Sequence, residues 1–64
     1  MTTDTTFRVI ETGNGAFRWR LRADDGSTLA TSDGVYRTKR AAMRDIQRVK
    51  HAALDAGVES VDTA

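Results

Sequence analysis

Cysteine is absent from the 64 residues, and histidine occurs once, as His51. Without thiols the chain has neither a disulfide nor a thiolate zinc site. One imidazole rules out a multi-histidine metal site within a single copy, and no cofactor or metal is expected. No stretch approaches the roughly 20 apolar residues of a membrane-spanning helix, so no membrane partner is expected. The opening residues, Met1 to Thr6, lack the apolar run of a signal peptide. They are expected to form a short frayed arm, residues 1–6, ahead of one domain over residues 7–62. These absences fit a cytoplasmic protein. There is also no internal repeat, linker or low-complexity segment.

A chain of this length buries only about 60% of the surface that its unfolded form exposes. Small scaffolds make up the deficit with disulfides, a structural metal or a partner subunit. Disulfides and thiolate or multi-histidine metal sites are missing here, which leaves idealised packing or self-association, and a homodimer is expected.

The net charge of +1 conceals an uneven distribution. Residues 1–37 carry five arginines against five acids. Residues 38–51 hold Lys39, Arg40, Arg44, Arg48 and Lys50 against Asp45, a local +4. From Ala52 onward, Asp55, Glu59 and Asp62 make a local −3. An anionic partner is therefore drawn first to the segment 38–51.

Two runs alternate with period two. In Phe7-Arg8-Val9-Ile10-Glu11, Phe7 and Val9 share a face. In Phe17-Arg18-Trp19-Arg20-Leu21-Arg22 the apolar residues take one face and three arginines the other. Gly13-Asn14-Gly15 joins them, and parity selects the loop. A two-residue loop would put Phe7 on the arginine face. A three-residue loop over Gly13 to Gly15 pairs Thr12 with Ala16, Val9 with Trp19 and Phe7 with Leu21. Gly15 then takes the left-handed position that such loops need. Asp25-Gly26 marks a turn before a third strand, Thr28 to Ser32, in which either Leu29 or Ala30 points inward according to the loop length.

Thr38 suits the N-cap of a helix of roughly sixteen residues. Ala42, Ile46, Val49 and Ala53 fall on one stripe of it, the core face of an amphipathic helix. Gly57 suits a left-handed C-cap with Val58 as its hydrophobic contact. Val58 to Asp62 then reads as a short last strand. The resulting class is α+β: a three-stranded antiparallel sheet whose Phe7, Val9, Phe17, Trp19 and Leu21 lie under one helix.

Phe17-Arg18-Trp19-Arg20-Leu21, Asp25-Gly26 and Leu29-Ala30-Thr31-Ser32 stand in order along the chain. Tyr36, Thr38-Lys39, Ala42, Ile46, Val49-Lys50 and Ala53 follow. As an ordered set they resemble the YegP-like family of small bacterial and archaeal domains of unknown function. The resemblance spans nearly all of Phe7 to Val61. It implies a sheet-plus-helix fold, either as a homodimer of single domains or as a tandem duplication that mimics one. Family members usually carry Asn-Gly where this chain has Asp25-Gly26, and both suit the same turn. The resemblance brings no catalytic residues.

Two basic groups are candidate contacts. Arg18, Arg20 and Arg22 project from the outer face of the second strand beside Arg8 and Ile10 of the first. Arg8 lies opposite Arg20, where like charges destabilise. Solvent screening, nearby acids and arginine stems packed over Ile10 can offset that repulsion, or this face meets a second copy of the chain; an anionic ligand is the further alternative. Arg40, Arg44 and Arg48, spaced i, i+4, i+8, form a stripe on the helix. They are a solvated polar face or, alternatively, contacts to nucleic-acid phosphates. A near-zero net charge argues against the second option.

Trp19 and Phe17 belong to the core rather than to a base-stacking platform. Asp24-Asp25-Gly26 lacks the later ligands of a cation loop, and Gly13-x-Gly15 lacks the helix and lysine of a phosphate loop. No triad partner for His51 is placed by sequence. The chain is therefore expected to be a non-catalytic, dimeric binding or interaction module. Nucleic-acid binding is the alternative, and an enzyme with a site formed across the dimer around His51 ranks third.

Overall fold

The alternating runs pair as a β-hairpin. The computed structural model describes residues 5–62, in which β1 (Thr6–Glu11) and β2 (Phe17–Arg22) are antiparallel. Phe7 faces Leu21, Arg8 faces Arg20 and Val9 faces Trp19, the register that parity selects. The Thr12 amide donates to the Ala16 carbonyl at 2.9 Å and closes a three-residue loop. Gly15 sits at φ 75°, where a side chain would be strained. β1 starts at Thr6, one residue inside the expected arm, and residues 1–4 of that arm lie outside the described residues.

The second loop also has three residues, because the Ala23 amide bonds the Ser27 carbonyl at 2.8 Å. The Asp25 carboxylate accepts from the Ser27 amide at 2.9 Å and from its hydroxyl at 2.7 Å, which fixes the turn. Such a loop should turn Leu29 inward. Ala30 pairs with Leu21 instead, because the register shifts by one residue between Leu21 and Arg22. The bulge restores the parity that the loop length breaks. β3 (Thr28–Thr31) completes a sheet of order β1-β2-β3. Beyond it, Tyr36 bridges back to Phe17 through two backbone hydrogen bonds of 2.7 Å.

Helix α1 (Lys39–Asp55) starts as expected: the Thr38 hydroxyl accepts from the Ala41 amide at 3.0 Å. It packs on β1 and β2 and leaves β3 uncovered. Its 17 residues span about 26 Å, against about 20 Å for the six-residue strands beneath. The helix therefore overhangs the sheet, and His51 to Asp55 are all exposed.

The core is thinner than the stripe implies. Trp19, Ala42 and Ile46 are its only buried apolar residues among those described. Phe7, Val9, Phe17, Leu21 and Val49 are half-buried, and Ala53 is exposed. Phe7 meets Trp19 edge-on, with ring centroids 5.4 Å apart.

Two expectations for the C-terminal segment are corrected. Gly57 is not a left-handed cap. The chain leaves the helix extended at Ala56 (φ −71°, ψ 129°), and Val58 is 101% exposed, so it makes no capping contact. Nor do residues 58–62 form a strand within the described chain. A strand would send Val58 and Val61 to opposite faces, so the segment has no apolar face to offer a sheet.

Candidate functional site

Three surfaces bear on function. On the outer face of the sheet, the register places Arg8 opposite Arg20, Ile10 opposite Arg18 and Thr6 opposite Arg22, and brings Thr31 beside Arg20. All four arginines are exposed and Ile10 is half-buried. The single ion pair among the described residues lies elsewhere, on the helix. The structure thus brings these five residues into one basic patch, as the alternation requires, with Asp24 at the depression that Arg8 and Arg22 line. Ile10, half-buried, and Leu29, 59% exposed on the side away from the inward Ala30, are its large apolar residues.

The helix stripe is less uniform. Arg40 and Arg44 flank a shallow depression with Lys39, Met43 and Gln47. Arg48 is committed to Asp45: its Nε and Nη2 donate to one carboxylate oxygen at 2.8 and 2.6 Å. The other oxygen of Asp45 accepts from the Trp19 indole Nε1 at 2.9 Å and from the Tyr36 hydroxyl. The Asp45 side chain is only 12% exposed, and four donor atoms from three side chains converge on it. The Tyr36 hydroxyl first, then the Trp19 indole and the Arg48 guanidinium, hold its carboxyl down at about 2. The same bond raises the Tyr36 hydroxyl above its usual value.

This cluster ties β2, the Tyr36 bridge and α1 together with one carboxylate, and charge counting missed it. Two signals were present in the sequence. A buried indole N–H needs an acceptor, and Asp45 is the one acid in a basic helical segment, adjacent to the buried Ile46. With both oxygens occupied by donors, Asp45 is a structural anchor rather than a free base.

The third surface is an open groove between α1 and the β1 side of the sheet. Phe7, Leu21, Val49, Ala53 and Leu54 line one part, of about 550 Å³, with Gln47, Lys50 and His51 at its polar margin. The adjoining part, of about 610 Å³, shares Phe7, Leu21, Gln47 and Lys50 and adds Val9, Met43 and Ile46. No carboxylate lines either part, so His51 has no acidic partner there. The groove exists because the helix is longer than the strands and its core residues are small. Beside it, Leu54 is 84% exposed, and residues 57–62, which follow the helix without regular structure, make no hydrogen bond to the rest of the described chain. Among the described residues no helix is long and apolar enough to cross a membrane.

Comparison with known proteins is consistent with this architecture. The family model for a domain of unknown function, DUF1508, matches residues 13–61. A protein from Haloferax volcanii, solved by NMR in solution, is similar with a TM-score of 0.79 and 34% identity. The match covers 94% of this chain and 100% of that one. No curated protein matches the chain.

Proposed function

The chain belongs to the DUF1508 family of domains of unknown function, and from that premise we propose that it is a non-catalytic, homodimeric binding module. The observation that carries this reading is the amount of surface left open. Met43 and Leu54, which line the groove, are 52% and 84% exposed, and Val58 and Val61 of the segment after the helix are 101% and 68% exposed. Apolar side chains left in water on one side of so small a domain favour a partner that covers them. The open surface is apolar at the groove, so the groove side favours the second copy over the arginine face.

A dimer that folds as it associates has a melting temperature that rises with protein concentration. Thermal melts over a hundredfold range of concentration test the proposal, and a flat melting temperature contradicts it. Catalysis is no part of the reading: Asp45 is saturated with donors and the groove beside His51 holds no acid. The lack of cysteine supports a cytoplasmic location.

A second reading rests on the sheet's outer face. Four arginines without an ion pair among the described residues suit an anionic polymer such as nucleic acid. Arg40, Arg44 and Arg48 support it less, since Arg48 is held by Asp45. Full engagement of the four sheet arginines gives a slope of log affinity against log salt of about −3.6 on duplex DNA. A gel shift showing no complex at low salt, with duplex or single strands, excludes it.

A further inference from the structure

Resting on the dimer reading, we propose that residues 56–62 of each chain cross to the second copy and seat in its groove beside Phe7 and Leu54. The tail and the groove each lack what the other has. Val58 and Val61 are 101% and 68% exposed. The groove is apolar and open, and β1 beside it is an edge strand paired with β2 alone.

The conformation fits as well. Ala56 leaves the helix at φ −71°, ψ 129°, the geometry of an extended segment with three residues per turn. Continued through the tail as it seats on the second copy, that geometry turns Val58 and Val61 to the same side, where a flat strand would separate them.

Charge supplies the choice of occupant. The tail carries Glu59 and Asp62 after Asp55, while Lys50 and His51 stand at the groove margin and Lys39, Arg40 and Arg44 lie further along the helix. One copy of the chain therefore presents both halves of a complementary pair, acidic-apolar on the tail and basic-apolar at the groove. A two-fold axis lets each tail occupy the other copy's groove, closing the assembly at two chains.

An isotope-filtered NOE experiment on a dimer mixed from labelled and unlabelled full-length chains distinguishes exchange from other arrangements. Cross-copy NOEs from the Val58 and Val61 methyls to the Phe7 ring and the Leu54 methyls are expected. A dimer in which these NOEs are absent, or arise only within one copy, overturns the exchange and leaves the dimer reading standing. A monomeric parent chain overturns both. The V58D/V61D double variant adds a second readout. Its far-ultraviolet spectrum is expected to keep the parent helix and sheet content while its dimer dissociation constant rises by at least about 100-fold. An unchanged dissociation constant contradicts the proposal.

Discussion

Ile46→Ala probes the thin core most sharply. Ile46 is 7% exposed and is, with Trp19 and Ala42, one of three buried apolar residues among those described. The substitution removes three carbon atoms, and at about 0.8 kcal/mol for each buried methylene the transfer loss is about 2.4 kcal/mol. A sealed site would add a cavity cost and bring the total towards 5 kcal/mol. Ile46, however, also borders the open groove, so solvent or neighbouring side chains can enter the space.

The expected loss is therefore about 2–3 kcal/mol for Ile46→Ala and about 1 kcal/mol for Ile46→Val. For a domain of this size that corresponds to falls in melting temperature of roughly 10–20 °C and 5 °C. A 64-residue domain holds only about 3–10 kcal/mol in total, so the alanine variant approaches the limit of folding. Urea titration followed by circular dichroism and by Trp19 fluorescence, at one fixed protein concentration, measures both variants. A loss below about 0.5 kcal/mol for Ile46→Ala would show that α1 does not dock on the sheet through this residue.

Three further outcomes are expected. The Asp45 carboxyl is held at about 2 in the folded chain, below an unfolded value of about 3.9. Its contribution is thus fully present above about pH 5 and is lost as pH falls through about 2. Asp45→Asn should flatten the pH dependence of stability in that window, and Tyr36→Phe should raise the Asp45 value. Carboxyl carbon NMR titration checks the latter, and an unmoved titration contradicts the assigned cause. Replacing Arg20 with glutamate turns the Arg8–Arg20 cross-strand repulsion into attraction, so stability should rise by about 0.2–1 kcal/mol, with the gain shrinking in high salt. Gly15→Ala forces a side chain to φ 75° in open space, costing about 1–2 kcal/mol through the backbone alone; a neutral result would place the hairpin loop in another geometry.

Much of this fold was legible because period-two alternation leaves little freedom. Once Phe7, Val9, Trp19 and Leu21 must share a face, the Gly13–Gly15 loop and the Arg8–Arg20 pairing follow. Thr38 likewise marked the helix start, since few residues can accept the first free amide. The third strand was ambiguous because loop length alone does not fix parity when a bulge can shift the register between Leu21 and Arg22. The helix end was misjudged at Gly57 because a glycine permits a left-handed cap without compelling one, and Val58 finds no partner among the described residues.

The sites divide the same way. The arginines of β2 were placed by alternation, whereas the Asp45 anchor depends on Tyr36, nine residues away, and on Trp19, 26 residues away. No local pattern encodes such convergence. The groove depends on the overhang of α1 past the strands, which emerges only when the elements are assembled.

The mass of the particle in solution tests the central claim most directly. Light scattering at micromolar concentration and moderate salt should give twice the chain mass of 7.0 kDa, about 14 kDa. A particle of 7.0 kDa under those conditions would mean that the open groove and the exposed tail are features of a stable monomer, and the account of this domain as half of a dimer would be wrong.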